Sequence, residues 1–181
     1  GGEFLAGDME KAFDDDCKTE AACREIIART TNRKSVLLFC AGVAHAEHVA
    51  AAIAGMTGEE VGIVTGETFA MERQRILSDF KSGRLRWCVN VDVLTTGFDS
   101  PRIDAIAVLR ATMSPGLFAQ IVGRGLRKHE SKTDCLILDF GENIKRHGSL
   151  DDPEYGRASV GRGGSGGGTR EGENNGRGKQ C

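Results

Sequence analysis

The amino-acid sequence predicts an α/β fold with an open, mainly parallel sheet and helices on both of its faces. Five short apolar runs rich in β-branched residues are continuous rather than alternating, which is typical of strands buried on both sides. Helical patterns separate several of these runs, so strand and helix alternate along the chain. The predicted strands span residues 35–41, 61–65, 87–94, 103–109 and 135–140.

Four helices are predicted from apolar spacing and from the residues at their ends. Thr68 is the expected N-cap of the third helix and Gly83 its C-terminal stop, because hydroxyl residues and glycine favour these positions. Pro115 suits the first turn of the fourth helix. The predicted helices span residues 18–31, 43–54, 69–82 and 115–128.

Composition divides the chain into a globular body and a polar tail. The chain has 181 residues and 25 glycines, and ten of these glycines fall between residues 156 and 181. We expect a lead-in segment at 1–32, a folded domain at 33–150 and a flexible Gly- and Arg-rich linker at 151–181. Both ends look like cuts in a longer protein.

Hydropathy and cysteine spacing exclude several classes of protein. The sequence has no apolar run of 18 residues and no secretory signal, so we expect neither a membrane span nor export. The six cysteines form no CxxC pair, which predicts a reduced, cytoplasmic protein with no metal site inside the chain. Cys181 is either the first ligand of a zinc ribbon beyond the chain or a stray thiol.

Charge is nearly balanced in total but not along the chain. The sequence has 24 basic and 26 acidic residues, yet residues 73–128 carry ten basic and only four acidic side chains. This basic middle is compatible with a polyanionic ligand or with an ordinary solvated face.

The fourth predicted helix carries the strongest chemical signal. At 100° per residue, Phe118 and Ile121 lie on one side, whereas Gln120, Arg124 and Arg127 lie on nearly the opposite side. Guanidinium groups match phosphate oxygens, and two of them aimed at one point need an anion or an acidic partner there. An amphipathic helix with a solvated arginine face would show the same pattern.

Ligands of open α/β sheets gather at the carboxyl ends of the strands, and small or hydroxyl residues follow several predicted strands. Hydroxyls and backbone amides there could hold a phosphate, Asp99 could accept from a sugar hydroxyl, and Arg73 could contact a backbone phosphate. A polar loop and a surface arginine are the alternatives. The strand-end candidates are Cys40, Ala41, Thr65, Gly66, Thr95, Thr96 and Gly97.

Taken in order, these segments resemble the second RecA-like domain of superfamily 2 helicases, over roughly residues 33–150. The segments TTGFDSP and LDFGEN, at 95–101 and 138–143, are most similar to bacterial RadD-like and type III restriction-type DNA helicases. Motifs IV, IVa, V and VI are matched by residues 36–40, 65–83, 90–101 and 120–127, the last with the pattern QxxGRxxR.

The resemblance implies a role for each candidate. Arg124 and Arg127 would be the catalytic arginines that reach the γ-phosphate of ATP, and Gly97, Asp99 and Gln120 would bind the nucleotide. The implied nucleic-acid contacts are Cys40, Ala41, Thr65, Gly66, Arg73, Thr95 and Thr96.

The absence of two motifs predicts that the chain is only one of the two lobes of a helicase motor. The sequence has neither a P-loop nor an acidic magnesium motif, and in this family both belong to the first RecA-like domain. We therefore expect ATP and Mg²⁺ to be used only by the full-length protein, with that first domain and DNA rather than RNA as partners. The chain alone should hydrolyse no ATP and bind no nucleotide tightly.

Two other functions remain open on sequence alone. A stand-alone α/β nucleotide-binding domain would bind its ligand tightly in isolation. A non-catalytic interaction module would contact nucleic acid through the basic tail, and removal of residues 157–181 would abolish that binding.

Overall fold

A computed structural model describes residues 16–93 and 98–151. The predictions for residues 1–15, 94–97 and 152–181, which include Thr95, Thr96, Gly97 and Cys181, concern residues outside this part of the chain. The elements it contains are α1 (Asp16–Arg29), β1 (Val36–Cys40), α2 (Val43–Thr57), β2 (Val61–Val64), α3 (Ala70–Ser82), β3 (Trp87–Asn90), β4 (Ala105–Leu109), α4 (Pro115–Gly123), β5 (Leu136–Asp139) and α5 (Asn143–His147).

The five strands form one sheet in the order β2-β3-β1-β4-β5, and every neighbouring pair is parallel. The predicted fold class is therefore confirmed. Because all strands run the same way, their carboxyl ends meet at one edge of the sheet, here called the carboxyl edge. The opposite side, where the strands begin, is called the amino edge.

Helices cover both faces of the sheet, as the continuous apolar runs predict. On β1, Val36 and Leu38 pack with residues of α1 and α2, whereas Leu37 and Phe39 pack with residues of α3 and α4. Alternate side chains of a strand point to opposite faces, so a strand buried on both sides must be apolar throughout. All five residues of β1 and of β4 are buried accordingly.

The fourth helix is shorter than predicted, because the tertiary contacts of the residues after it are incompatible with a continued helix. It ends at Gly123 rather than at residue 128. A Cβ on Gly125 would lie 2.3 Å from Cys135 Sγ, so only glycine allows this close approach. Lys132 Nζ donates to the Gly125 carbonyl at 2.7 Å, where a continuing helix would place a backbone amide.

The start of the third helix also differs from the prediction. Phe69 occupies the N-cap position without a side-chain cap, and Thr68 is not the N-cap. Thr68 Oγ1 instead accepts a hydrogen bond from the Thr65 amide at 2.9 Å, which closes the turn after β2. The predicted stop is confirmed, since Gly83 caps the helix with φ 81° in the left-handed region.

The longest helix of the described residues has 15 residues, whereas a bilayer-spanning helix needs about 20. None of the described helices is long and apolar enough to cross a membrane.

Candidate nucleotide and nucleic-acid site

The helix α4 begins at a well-formed cap. Ser114 Oγ accepts a hydrogen bond from the Leu117 amide at 3.1 Å, and Pro115 fills the first turn. Phe118, Ile121 and Val122 are buried against the sheet. This packing fixes the C-terminal end of α4, where Arg124 lies.

Arg124 and Arg127 are brought together by the turn after α4 and not by a shared helical face. Arg124 is the C-cap residue, with its amide 3.2 Å from the Ile121 carbonyl, and Arg127 lies beyond the helix. The explanation of their convergence by helical spacing was therefore wrong. Gln120 remains on α4, where it is exposed.

The surroundings of the two arginines leave a concentrated positive charge. Arg124 donates a hydrogen bond to the Phe98 carbonyl, and Arg127 forms an ion pair with Asp99. Burial lowers the pKa of Arg124, and the nearby charge of Arg127 lowers it further, although Asp99 opposes this. Arg127 and Asp99 are 44% and 64% exposed, so water weakens their pairing.

This arrangement can bind an anion with several oxygens. Arg127 pairs with an exposed carboxylate whose charge also acts on Arg124, and a phosphate group could replace that carboxylate with more acceptor oxygens. Asp99, which was expected near a sugar hydroxyl, is instead the acidic partner of Arg127 in the described structure.

The ring and the backbone carbonyl of Phe98 contact different parts of the molecule. Its ring lies 6.3 Å from that of Phe80 on α3, and Lys81 Nζ lies 5.1 Å from its centre. Its carbonyl is the group that accepts from Arg124. Phe98, which lies within the predicted motif V, therefore contacts both α3 and a proposed catalytic arginine.

Arg73 organises the loop at the end of β2. Its Nη2 group donates to the carbonyls of Thr65, Gly66 and Thr68 at 3.0, 3.4 and 3.1 Å. Arg73 was expected to contact a phosphate directly, and its observed contacts are with the loop. Thr65 is buried and Gly66 is exposed, so the loop presents backbone rather than a threonine hydroxyl at its tip.

The two candidates after β1 differ in accessibility. Cys40 is completely buried, and burial raises the pKa of its thiol far above the ordinary value. This burial argues against Cys40 as a ligand contact, because its side chain belongs to the core. Ala41 is partly accessible, and its amide donates to His45 Nδ1 at 3.4 Å.

Sequence reasoning missed a group of polar contacts at the ends of β3, β4 and β5. Asp92 pairs with Arg110, and Asn143 is completely buried between the ends of β4 and β5. The polar residues directly after β5 were quoted for their resemblance but given no role. A buried asparagine next to an acidic strand end is a signal that could have identified them.

Residues 17–129 match the family model of the helicase conserved C-terminal domain. The chain belongs to this family. It is 39% identical over 143 residues to a Schizosaccharomyces pombe protein named as the mitochondrial ATP-dependent helicase irc3, covering 77% of this chain and 23% of that protein. The Saccharomyces cerevisiae ATP-dependent helicase IRC3 is also 39% identical, over 59% of this chain and 15% of its own length. The chain thus spans less than a quarter of these curated relatives.

Solved structures support the same assignment. A fragment of an HsdR subunit of a type I restriction enzyme from Vibrio vulnificus superposes with a TM-score of 0.67 and 25% identity, covering 84% of this chain and 31% of that one. Dbp5 of S. cerevisiae bound to RNA and ADP BeF3 has a TM-score of 0.59 at 21% identity, covering 68% and 32%, which shows the fold alone. The predicted second RecA-like domain of a superfamily 2 helicase is confirmed.

Proposed function

We propose that this helicase domain is the second motor lobe of an ATP-dependent DNA helicase or translocase, whose Arg124 and Arg127 act on the γ-phosphate of ATP. The observation that supports this most strongly is the convergence of two guanidiniums beyond the C-terminal end of α4, beside one exposed carboxylate. The nucleotide would lie between this lobe and a first RecA-like domain, with Gln120, Asp99 and Gly97 beside it.

The chemistry assigned to the arginines is electrostatic. When water attacks the γ-phosphorus, the bond to the β–γ bridging oxygen breaks and negative charge is shared between the leaving diphosphate and the transferred phosphoryl group. Arg124 is partly withdrawn from water, which strengthens its attraction for that charge.

The test is the nucleic-acid-stimulated ATPase rate of the full-length protein. We expect Arg124→Ala to lower turnover on the order of a thousandfold, as for other arginine fingers, with Arg127→Ala also strongly reduced. Arg24→Ala is the matched control, because this exposed arginine on α1 pairs only locally with Glu20. Turnover within twofold of wild type in Arg124→Ala, with an unchanged unfolding transition, would refute the assignment.

We further propose that the lobe is inactive alone. In residues 16–93 and 98–151 no group of three or more His, Cys, Asp or Glu side chains could hold a metal ion. Mg²⁺ and the P-loop would come from the first domain. ATP turnover by the isolated chain in the presence of single-stranded DNA would contradict this half-motor proposal, and tight nucleotide binding would favour the stand-alone alternative.

Nucleic acid is proposed to cross the carboxyl edge at Ala41, Thr65 and Gly66, continuing to Thr95 and Thr96. Because Arg73 is engaged with loop carbonyls, it would act by holding that loop. For Arg73→Ala, we expect about tenfold weaker binding with an unchanged slope of log K against log salt. A direct phosphate contact would instead reduce the slope by about one.

DNA is proposed as the substrate rather than RNA. The curated relatives include a protein named as a type I restriction enzyme EcoKI endonuclease subunit, 28% identical over 152 residues. Stimulation of the ATPase by RNA but not by DNA of the same sequence would refute this choice.

A further inference from the structure

Three side chains at and beyond the end of β5 hold the chain segment that leads into α4. They are Asp139, Asn143 and His147, here called the Asn143 clamp. The Asn143 side chain donates from Nδ2 to the Arg110 carbonyl and to Asp139 Oδ1, both at 2.8 Å. Its Oδ1 accepts from the Thr112 amide at 2.7 Å.

These bonds satisfy a completely buried amide and tie two strand ends together. Both N–H groups and the oxygen of Asn143 are engaged, so its burial is compensated. Asp139 is itself fixed, because its second oxygen accepts from the Ile144 amide at 2.7 Å. The clamp therefore sets the position of residues 110–112 relative to β5.

His147 makes a further contact with the same segment. Its Nε2 lies 2.6 Å from the Thr112 carbonyl, and since a carbonyl only accepts, Nε2 carries the proton. Its ring also lies 6.4 Å from the Phe118 ring in α4. Gly141 allows the segment after β5 to approach Arg110 closely, because a Cβ at this position would lie 2.1 Å from the Arg110 carbonyl oxygen.

From Thr112 the contacts continue into the start of α4. Thr112 Oγ1 accepts from the Ser114 amide at 3.2 Å, and Ser114 in turn caps the helix. At the far end of α4 stands Arg124, bonded to the Phe98 carbonyl. Fixing the first turn of a short helix fixes the position of its last residue.

We propose that Asn143, supported by Asp139 and His147, is a positioning residue that holds α4 so that Arg124 meets the developing charge on ATP. This inference rests on the proposed function and adds to it residues that touch no nucleotide. A misplacement of about 1 Å can cost about a hundredfold in rate, so loss of the clamp is expected to lower turnover without removing any catalytic group.

The experiment measures ATP turnover by the full-length protein, well below its unfolding temperature. We expect Asn143→Ala to lower kcat about ten- to a hundredfold while KM for ATP and DNA affinity change less than twofold. Lys145→Ala is the control, because this exposed residue of the same helix pairs only with Glu142 at 3.6 Å.

A double mutant separates positioning from the proposed function. If the clamp acts through Arg124, Asn143→Ala should cost less than twofold in an Arg124→Ala background. A full additional loss there would refute the clamp and leave the function standing. If Arg124→Ala alone had no effect, the function itself would fail.

His147 keeps the proposal testable if Asn143→Ala does not fold. His147→Gln retains an N–H donor for the Thr112 carbonyl and should keep kcat within about threefold, whereas His147→Ala should lose about tenfold. Equal kcat values for the two variants would overturn the role of this contact.

Discussion

Two groups of charged side chains differ in what they contact. At the amino edge, carboxylates join the starts of strands: Asp104 accepts from the amides of Lys34 and Ser35 at 2.8 and 2.9 Å. Glu59 accepts from Arg86 at 3.1 Å and from the Trp87 indole. The end of α4 lies at this same edge, since Lys132 Nζ donates to the carbonyls of both Gly125 and Ile103, and there Arg124 meets a carbonyl and a second guanidinium.

This difference separates charges that hold the fold from charges that are available to a ligand. A carboxylate that accepts hydrogen bonds from two backbone amides has its negative charge stabilised by the fold itself. Two neighbouring guanidiniums repel each other, and a bound anion offsets this repulsion. Substitutions of these carboxylates should therefore lower stability, and those of the arginine pair should lower activity.

The largest effect on stability is expected for Asp104→Ala. It leaves two backbone amides at the start of β1 without their acceptor, which should lower the free energy of unfolding by about 3 kcal/mol. Denaturant unfolding measures it, with Asp104→Asn as the matched variant, which keeps one acceptor and should lose about half as much. A loss as small as that of Asp99→Ala would remove the distinction between the two groups of charges.

Gly123→Ala should change stability and activity in opposite directions. No atom lies within 4 Å of a Cβ built there, so alanine should stabilise the end of α4 by about 0.5 kcal/mol. If ATP approaches this backbone, turnover of the full-length protein should nevertheless fall. Unchanged turnover would show that the open space at Gly123 serves no ligand.

Asp99→Ala should hardly affect stability, by less than about 0.5 kcal/mol, because its ion pair with Arg127 is exposed. It should instead tighten the binding of tripolyphosphate to the chain about threefold at low salt, since a competing carboxylate is gone. Calorimetry at two salt concentrations measures this, with Glu60→Ala as control. Unchanged or weaker binding would contradict the anion site.

The smallest effect is a pH dependence at the amino edge. The Arg33 guanidinium bonded to Asp134 holds the pKa of that carboxyl below its ordinary value. The folded state therefore binds this proton less readily than the unfolded state, so the pair stabilises the fold above the ordinary pKa. That contribution disappears as pH falls through the lowered value. A carboxyl titration by NMR in Arg33→Ala should show the pKa returning upward, and no change would exclude the pair.

Part of the site could be sought from sequence because it follows strand ends. The apolar runs predict buried parallel strands, and parallel strands place their carboxyl ends at one edge, where Ala41, Thr65 and Gly66 were sought. The contacts of Arg73 could not be predicted, because an arginine in a helix gives no sign of which carbonyls its side chain will reach.

The sequence by itself determined the α/β class, the order of the elements and the two arginines worth examining, because these depend on local patterns and on spacing along the chain. Only the tertiary structure decided that α4 stops at Gly123 and that Asn143 holds its beginning. Both depend on contacts between distant segments, Gly125 with Cys135 and Thr112 with Asn143. Such contacts exist only once the sheet has brought those segments together.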